Sequence, residues 1–256
     1  MENIKRVLSY TRRAVDDYQM IRAGDRIAIG ISGGKDSLTL LCALAELRRF
    51  YPEPFELEAI TVDMGLDGMD FSGVTELCRR LDVPYHTVPT QIAKIIFDVR
   101  KEPNPCSLCA KMRRGALHGA AVDLKCNKVA LGHHFDDVVE TFMLNLFFEG
   151  RLGCFQPVTY LSRRDLYLIR PMIYMPEKDV RYFASKADLP VVKSTCPEDG
   201  ETEREEMKKL LSVLERQNKG LRYRIFGAIQ RGGIDGFREF GRMQGIKEYS
   251  DETSDE

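Results

Sequence analysis

Short apolar runs that alternate with helical segments are the feature that most constrains how this chain folds. The first run, Arg26–Ile31, is typical of a strand buried on both faces, and it is followed by a glycine-rich turn and a helical segment, Leu38–Phe50. Further strand candidates lie at Phe55–Asp63, Pro84–Val88 and Lys128–Leu131. Strands that alternate with helices pair in parallel through right-handed crossovers. We therefore expect an α/β fold with a doubly wound parallel sheet.

Beyond about residue 150 the pattern changes from alternation to helices. The later elements that periodicity predicts are a strand at Leu166–Arg170 and helices at Pro176–Lys186, Glu203–Gln217 and Leu221–Ile229, in addition to an N-terminal helix at Ile4–Ile21. The last residues are acidic and poor in apolar side chains, which is typical of disorder. We therefore divide the chain into a sheet domain (1–196), a helical C-terminal region (197–247) and a disordered acidic tail (248–256).

Composition limits the classes of function. The 256 residues carry 38 Lys and Arg against 39 Asp and Glu, so a nucleic-acid partner has to be held by local basic clusters. No run of about 18 apolar residues exists, which excludes a membrane span, and Met1–Tyr10 lacks the apolar core of a secretory signal. Seven cysteines in such a chain indicate thiol or metal chemistry rather than disulfides. We expect a cytoplasmic protein.

The turn after the first strand has the composition of a phosphate-binding loop. From Ser32 to Ser37 it reads Ser-Gly-Gly-Lys-Asp-Ser. The glycines let backbone N–H groups approach an anion, Lys35 adds positive charge, and the next helix presents the positive end of its dipole. The spacing differs from that of the usual P-loop, which has four residues between its glycines. An ordinary strand-to-helix turn is the alternative interpretation.

Carboxylates follow two of the predicted strands. Asp136 and Asp137 stand at a helix start, where acidic residues cap the helix or bind Mg²⁺ together with substrate phosphates. We assign capping to Asp136 and a metal or catalytic role to Asp137, and we expect no special role for the neighbouring His134. Asp63 ends another strand, so it either contacts adenine or ribose in the ligand crevice or merely begins a loop.

A pair of cysteines, Cys106 and Cys109, is the second strong signal. Two thiolates at this spacing hold one metal ion or cluster, or form a reversible disulfide. The prolines before the pair are expected to stiffen the loop that presents it. Structural zinc normally needs four protein ligands, and no second close Cys or His pair occurs. The distant Cys196 is the candidate for a third ligand, and a chance pairing of unrelated cysteines is the remaining alternative.

The order of these motifs resembles that of a known family. The hexapeptide matches the PP-loop of the N-type ATP pyrophosphatases. The Cys-x-x-Cys pair with its following Met-Arg-Arg-Gly, the Gly-His-x-x-Asp-Asp segment and the distant cysteine narrow the likeness to the TtcA-like tRNA 2-thiocytidine synthetases, over roughly residues 1 to 230. The resemblance implies an adenine nucleotide α-hydrolase-like fold. The candidates for ATP contact are Ser32, Gly33, Gly34, Lys35, Asp36, Ser37, Asp63, Gly132 and His133.

The resemblance also implies an activity. ATP would adenylate O2 of cytidine 32 in the tRNA anticodon loop, and sulfur would then displace AMP to give 2-thiocytidine. The implied site residues are Lys35, Asp137 and Arg113 for catalysis, Asp137 for Mg²⁺, Cys106, Cys109 and Cys196 for a 4Fe–4S cluster, and Arg113 and Arg114 for tRNA. A cysteine desulfurase or sulfide would supply the sulfur, and a homodimer is our hypothesis for the oligomeric state.

Other interpretations stay open from the sequence. The further basic residues that can grip an RNA backbone are Arg48, Arg49, Lys111, Arg163, Arg164, Arg222 and Arg224. A tRNA 2-thiouridine synthetase of the same superfamily is the nearest alternative function. A tRNA lysidine synthetase would share the phosphate loop without needing the cysteine pair. A non-catalytic nucleotide or iron–sulfur sensor is the alternative of a different class.

Overall fold

The computed structural model describes residues 4–102, 105–198 and 203–240, and within these ranges one six-stranded sheet organises the chain. The strand order is β3-β2-β1-β4-β6-β5, and every neighbouring pair is parallel except β5 with β6. The strands are β1 (Arg26–Gly30), β2 (Glu56–Asp63), β3 (Tyr85–Pro89), β4 (Lys128–Ala130), β5 (Val158–Leu161) and β6 (Leu166–Ile169). The predicted doubly wound α/β sheet is confirmed.

Helices cover both faces of this sheet. In chain order the α-helices of the described ranges are α1 (Ile4–Asp17), α2 (Lys35–Arg48), α3 (Ser72–Arg80), α4 (Pro105–Asp123), α5 (Phe135–Phe148), α6 (Glu177–Lys186), α7 (Glu203–Gln217) and α8 (Leu221–Arg231). Within the described part of the chain, no helix is long and apolar enough to cross a bilayer.

The two faces of the sheet account for the continuous apolar runs in the sequence. In β1, Ile27 and Ile29 pack with α1 and α2 in the larger core, whereas Ala28 packs with Leu117 of α4 in the smaller one. Because successive side chains of a strand point to opposite faces, a strand covered on both sides must be apolar at every position. The same larger core includes Leu211 of α7, so the C-terminal helices fold onto the sheet layer.

Three features differ from the expectations. The edge strand β5 was not predicted, because its four residues are partly exposed and carry no apolar run. The cysteine pair does not stand on a stiffened loop, because Pro105 opens α4 and places both cysteines in its first turns. A π-helical segment at Lys94–Val99 also went unpredicted. The predicted disordered tail, 248–256, lies outside the described residues.

The C-terminal helices are held to α5 by buried charges. The Arg222 guanidinium, on α8, lies 2.9 Å from Asp136 Oδ1 and 3.4 Å from Glu140 Oε1. Only 12% of the Arg222 side chain is exposed, so its expected role in gripping RNA is wrong. Burial, and then the charge of Asp137, raise the pKa of Glu140 to about 7 although Arg222 opposes the shift.

The raised pKa of Glu140 predicts how stability depends on pH. Between pH 4.5 and 7 the folded protein keeps a proton on Glu140 that the unfolded chain has lost, so this group reduces stability as pH rises. The Glu140→Gln variant has no carboxyl group to titrate at this position, so it does not lose stability in this way as pH rises. We expect urea unfolding to show the variant gaining on the parent by up to about 1.4 kcal/mol per pH unit. The control is Glu149→Gln, which removes an exposed carboxylate. A gap between Glu140→Gln and parent that stays constant with pH would contradict the assignment.

Candidate active site

The loop from Ser32 to Ser37 has the geometry of an anion cradle. Gly33 has a φ of +83°, and a Cβ there would lie 2.8 Å from Val192 Cβ, so only glycine fits. The Ser37 hydroxyl donates to the Gly34 carbonyl at 2.9 Å and holds the turn closed. No side chain caps α2 at Gly34. The N–H groups of its first turn therefore remain available to a phosphate.

A cleft of about 650 Å³ opens at the carboxyl ends of β1, β2 and β4, where ligands bind in open α/β sheets. Of the nine candidates for ATP contact, all except Gly33 and Lys35 line it, as do Arg113, Arg114 and Asp137. The structure thus brings together residues that are distant in sequence. Asp63 lines the cleft, and its carboxylate accepts the Gly65 N–H at 2.9 Å at the start of the loop; its contact with adenine or ribose stays a prediction.

The Lys35 ammonium contacts Asp36, which lines the cleft, and also a carboxylate that sequence reasoning missed, that of Glu177. Its Nζ lies 3.2 Å from Asp36 Oδ2 and 3.2 Å from Glu177 Oε1. Burial lowers the pKa of Lys35, but these two carboxylates more than offset burial, so the pKa is raised. Lys35 therefore carries a fixed positive charge beneath the phosphate loop.

Asp137 and His134 close the start of α5 in a reciprocal cap. The His134 backbone N–H donates to Asp137 Oδ2 at 2.8 Å, and the Asp137 N–H donates to His134 Nδ1 at 3.4 Å. The other oxygen of Asp137 lies 3.2 Å from the Arg204 guanidinium, which α7 brings into the cleft. The assignment of capping to Asp136 is wrong, because its carboxylate accepts the Glu177 N–H at 2.7 Å and pairs with Arg222.

His133 is held neutral in the wall of the cleft. Its ring packs 4.8 Å from the Phe155 ring, and its Nδ1 is buried without a hydrogen-bond partner. Burial lowers the pKa of His133 to about 4; Asp137 opposes this shift, whereas Arg170 and Arg204 add to it. A buried polar atom without a partner in a cleft wall fits a site that a ligand completes.

The three candidate cysteines lie beside the cleft. Cys109 Sγ is 3.6 Å from Met64 Sδ, and Thr195, next to Cys196, donates to the Asp67 carbonyl at 3.0 Å, so both cysteines meet the loop after β2. Burial, and then Cys196, Glu198 and Cys109, raise the pKa of Cys106. All three thiols are free. Among the residues that the structure describes, no three potential ligands are already spaced to hold a metal ion.

The donor sets fit the two implied inorganic groups. Three neighbouring thiols can supply three of the four ligands that a 4Fe–4S cluster takes. Asp36 and Asp137 offer carboxylate oxygens to the same cleft, and Asp36 Oδ1 is buried without a hydrogen-bond partner. One or two carboxylates beside a phosphate site are the usual protein ligands of Mg²⁺.

Comparison with known proteins agrees with this geometry. A family model described as a PP-loop domain matches residues 7–215. A tRNA-cytidine(32) 2-sulfurtransferase of Geobacter sulfurreducens is 40% identical over 88% of this chain and 89% of its own length. A second, from Pelobacter propionicus, is 42% identical over 85% of this chain and 82% of its own length. The chain belongs to the tRNA-cytidine(32) 2-sulfurtransferase family of PP-loop proteins.

A solved structure extends the comparison to a second sulfurtransferase. The U34-tRNA thiolase NcsA from Methanococcus maripaludis, with its [4Fe-4S] cluster, superposes with a TM-score of 0.73 at 27% identity, over 88% of this chain and 78% of that one.

Four residues at or beside the cleft of this chain were not predicted from the sequence: His134, Phe155, Glu177 and Arg204. Only His134 had a local signal, since an acidic residue three positions later indicates a reciprocal cap.

The crowding at Gly33 predicts a specific effect of substitution. Gly24 and Gly33 have nearly equal φ angles of +84° and +83°, but a Cβ on Gly24 meets nothing within 4 Å. Gly24→Ala should therefore cost only the strain of an alanine in the left-handed backbone conformation, about 1–2 kcal/mol of unfolding free energy. Gly33→Ala should cost more and weaken ATP binding at least tenfold, about 1.4 kcal/mol, by displacing Val192. Calorimetric ATP titrations that leave Gly33→Ala equal to Gly24→Ala would contradict the cradle.

Proposed function

We propose that this protein is an ATP-dependent tRNA thiolase that replaces O2 of cytidine 32 with sulfur and forms AMP and pyrophosphate. One observation carries the proposal: the phosphate loop and the Asp137 carboxylate line a single cleft, and the three free thiols lie beside it. Relatives that are 40% and 42% identical are named for this reaction at this nucleotide, and their similarity spans most of the chain.

Adenylation solves the chemical difficulty of the reaction. The O2 atom of cytidine is a poor leaving group, and its attack on the α-phosphate of ATP converts it into part of AMP. The phosphate loop would hold the pyrophosphate, with Lys35 beneath it neutralising charge. Asp36 and Asp137 would hold Mg²⁺, which supplies charge neutralisation on the phosphates when bound. Arg113, in the cleft wall, is the cation placed to stabilise charge on the departing AMP.

Sulfur transfer would take place at the side of the cleft beside which the three cysteines lie. Cys106, Cys109 and Cys196 would hold a 4Fe–4S cluster, which when bound supplies an iron atom without a protein ligand for holding sulfur. The sulfur itself would come from sulfide or a cysteine desulfurase. The buried His133 ring is uncharged, so it adds no positive charge to the wall of the nucleotide pocket. We propose the cytoplasm as the place of the reaction.

A second candidate is thiolation of uridine 34. The structural similarity to the U34-tRNA thiolase NcsA favours it. Higher identity to the cytidine-32 relatives makes cytidine the first choice. The two reactions are distinguished by the modified nucleoside and its position in the product tRNA.

Anaerobic reconstitution tests the proposal. Iron-loaded protein with ATP, Mg²⁺, sulfide and unmodified tRNA should yield thiolated cytidine at position 32 with one AMP released for each nucleoside. Cys106→Ser should abolish the thiolated product while leaving calorimetric binding of a non-hydrolysable ATP analogue unchanged. Cys154→Ser is the matched control, because this half-buried thiol contacts the Val138 carbonyl instead of the site.

The outcomes separate the alternatives. If the iron-loaded parent forms neither a thiolated nucleoside nor AMP, the proposed function is wrong. Thiolation at uridine 34 alone would establish the second candidate. Full activity of Cys106→Ser would show that the cluster ligands are misassigned.

A further inference from the structure

A line of positive charge leaves the cleft along α4. Arg113 and Arg114 line the cleft, and His118 follows Arg114 one turn further along the helix. Next to His118, the Arg164 side chain lies against the helix, since a Cβ on Gly119 would be 3.6 Å from its guanidinium. We define the α4 basic stripe as Arg113, Arg114, Arg163 and Arg164; the half-buried His118 lies within it without adding charge. From Arg113 to Gly119 it extends about 9 Å along the helix axis.

The arginines of the α4 basic stripe are not neutralised by the protein. Within residues 4–102, 105–198 and 203–240, none of its four arginines pairs with a carboxylate, in contrast to Arg181, Arg204 and Arg222. Asp165, in the same turn as Arg163 and Arg164, accepts a hydrogen bond from the Tyr160 hydroxyl at 2.9 Å instead. Both Arg163 and Arg164 are exposed. The charge is thus free to meet a ligand.

The half-buried His118 reports the same positive potential. Burial lowers its pKa, and Arg164 and Arg114 lower it further. Its Nε2 is buried without a hydrogen-bond partner. The guanidinium groups of Arg114 and Arg164 both act on this ring, so the outer end of the stripe lies beside α4.

We propose that the α4 basic stripe holds the tRNA sugar–phosphate backbone adjoining the target nucleotide. This inference rests on the proposed function. Guanidinium groups without protein partners are the usual contacts of backbone phosphates. The stripe begins in the wall of the cleft that the target base must enter, and it continues outward to the β5–β6 turn. Because the net charge of the chain is −1, the attraction of RNA has to be local, and this surface provides it.

The test removes the outer end of the stripe, which has no contact with the cleft lining. Arg163→Ala/Arg164→Ala is compared with Arg6→Ala/Arg12→Ala, which removes the same charge from α1, across the sheet from α4. We expect the first variant to bind unmodified tRNA roughly tenfold more weakly near 0.1 M salt. Its plot of log affinity against log salt concentration should be shallower by about 1.4, as for two lost single-strand phosphate contacts. Binding of a non-hydrolysable ATP analogue and the melting temperature should equal those of the parent.

The control variant should bind tRNA as the parent does, with the same salt slope. If Arg163→Ala/Arg164→Ala also matches the parent in affinity and slope, the stripe does not hold tRNA and the inference is overturned. Equal losses in both double variants would overturn it as well, because they would reflect net charge rather than this surface. Neither result touches the proposed function, which fails separately if the parent itself does not thiolate tRNA.

Discussion

The buried carboxylate of Glu177 is the interaction on which the site depends. It lies 3.2 Å from Lys35 Nζ, 2.9 Å from Lys208 Nζ and 2.9 Å from the Arg181 guanidinium. Burial alone would raise the pKa of Glu177, but these three cations lower it to about 2, so the carboxylate is ionised at neutral pH. Removing one partner of such a buried charge lowers the stability of the folded protein. The phosphate loop, α6 and α7 are thereby fixed relative to one another.

The same network makes the C-terminal helices part of the site. Asp136 accepts the backbone N–H of Glu177 and holds Arg222 of α8. Through α7, Arg204 reaches Asp137 inside the cleft. The helical region that we predicted from residue 197 therefore contributes side chains to the site. A second contact links the phosphate loop to the segment that carries Cys196. The Val192 N–H donates to the Gly33 carbonyl at 2.9 Å, and the chain continues from Val192 to Cys196.

The sequence predicts those parts of the molecule whose physical cause is local. The middles of strands β1 and β2 and the end of β4 are mainly apolar because both faces of these strands are buried, whereas the partly exposed edge strand β5 carries no such signal. The hexapeptide at the start of α2 is likewise recognisable, because its glycines, Lys35 and the first residues of the helix follow one another in the chain. Arg204 and its partner Asp137 are 67 residues apart, and nothing near either one predicts their contact. Such long-range ion pairs follow from how α7 packs, which the sequence pattern does not specify.

The central claim is that nucleotide activation and sulfur delivery occur in one cleft. An anaerobic crystal structure of the iron-loaded protein with a non-hydrolysable ATP analogue measures this directly, with anomalous scattering locating the iron. We expect the triphosphate on the loop from Ser32 to Ser37 and iron bound by Cys106, Cys109 and Cys196, both facing the same cavity. Iron held without Cys196, or facing away from the nucleotide, would contradict the claim.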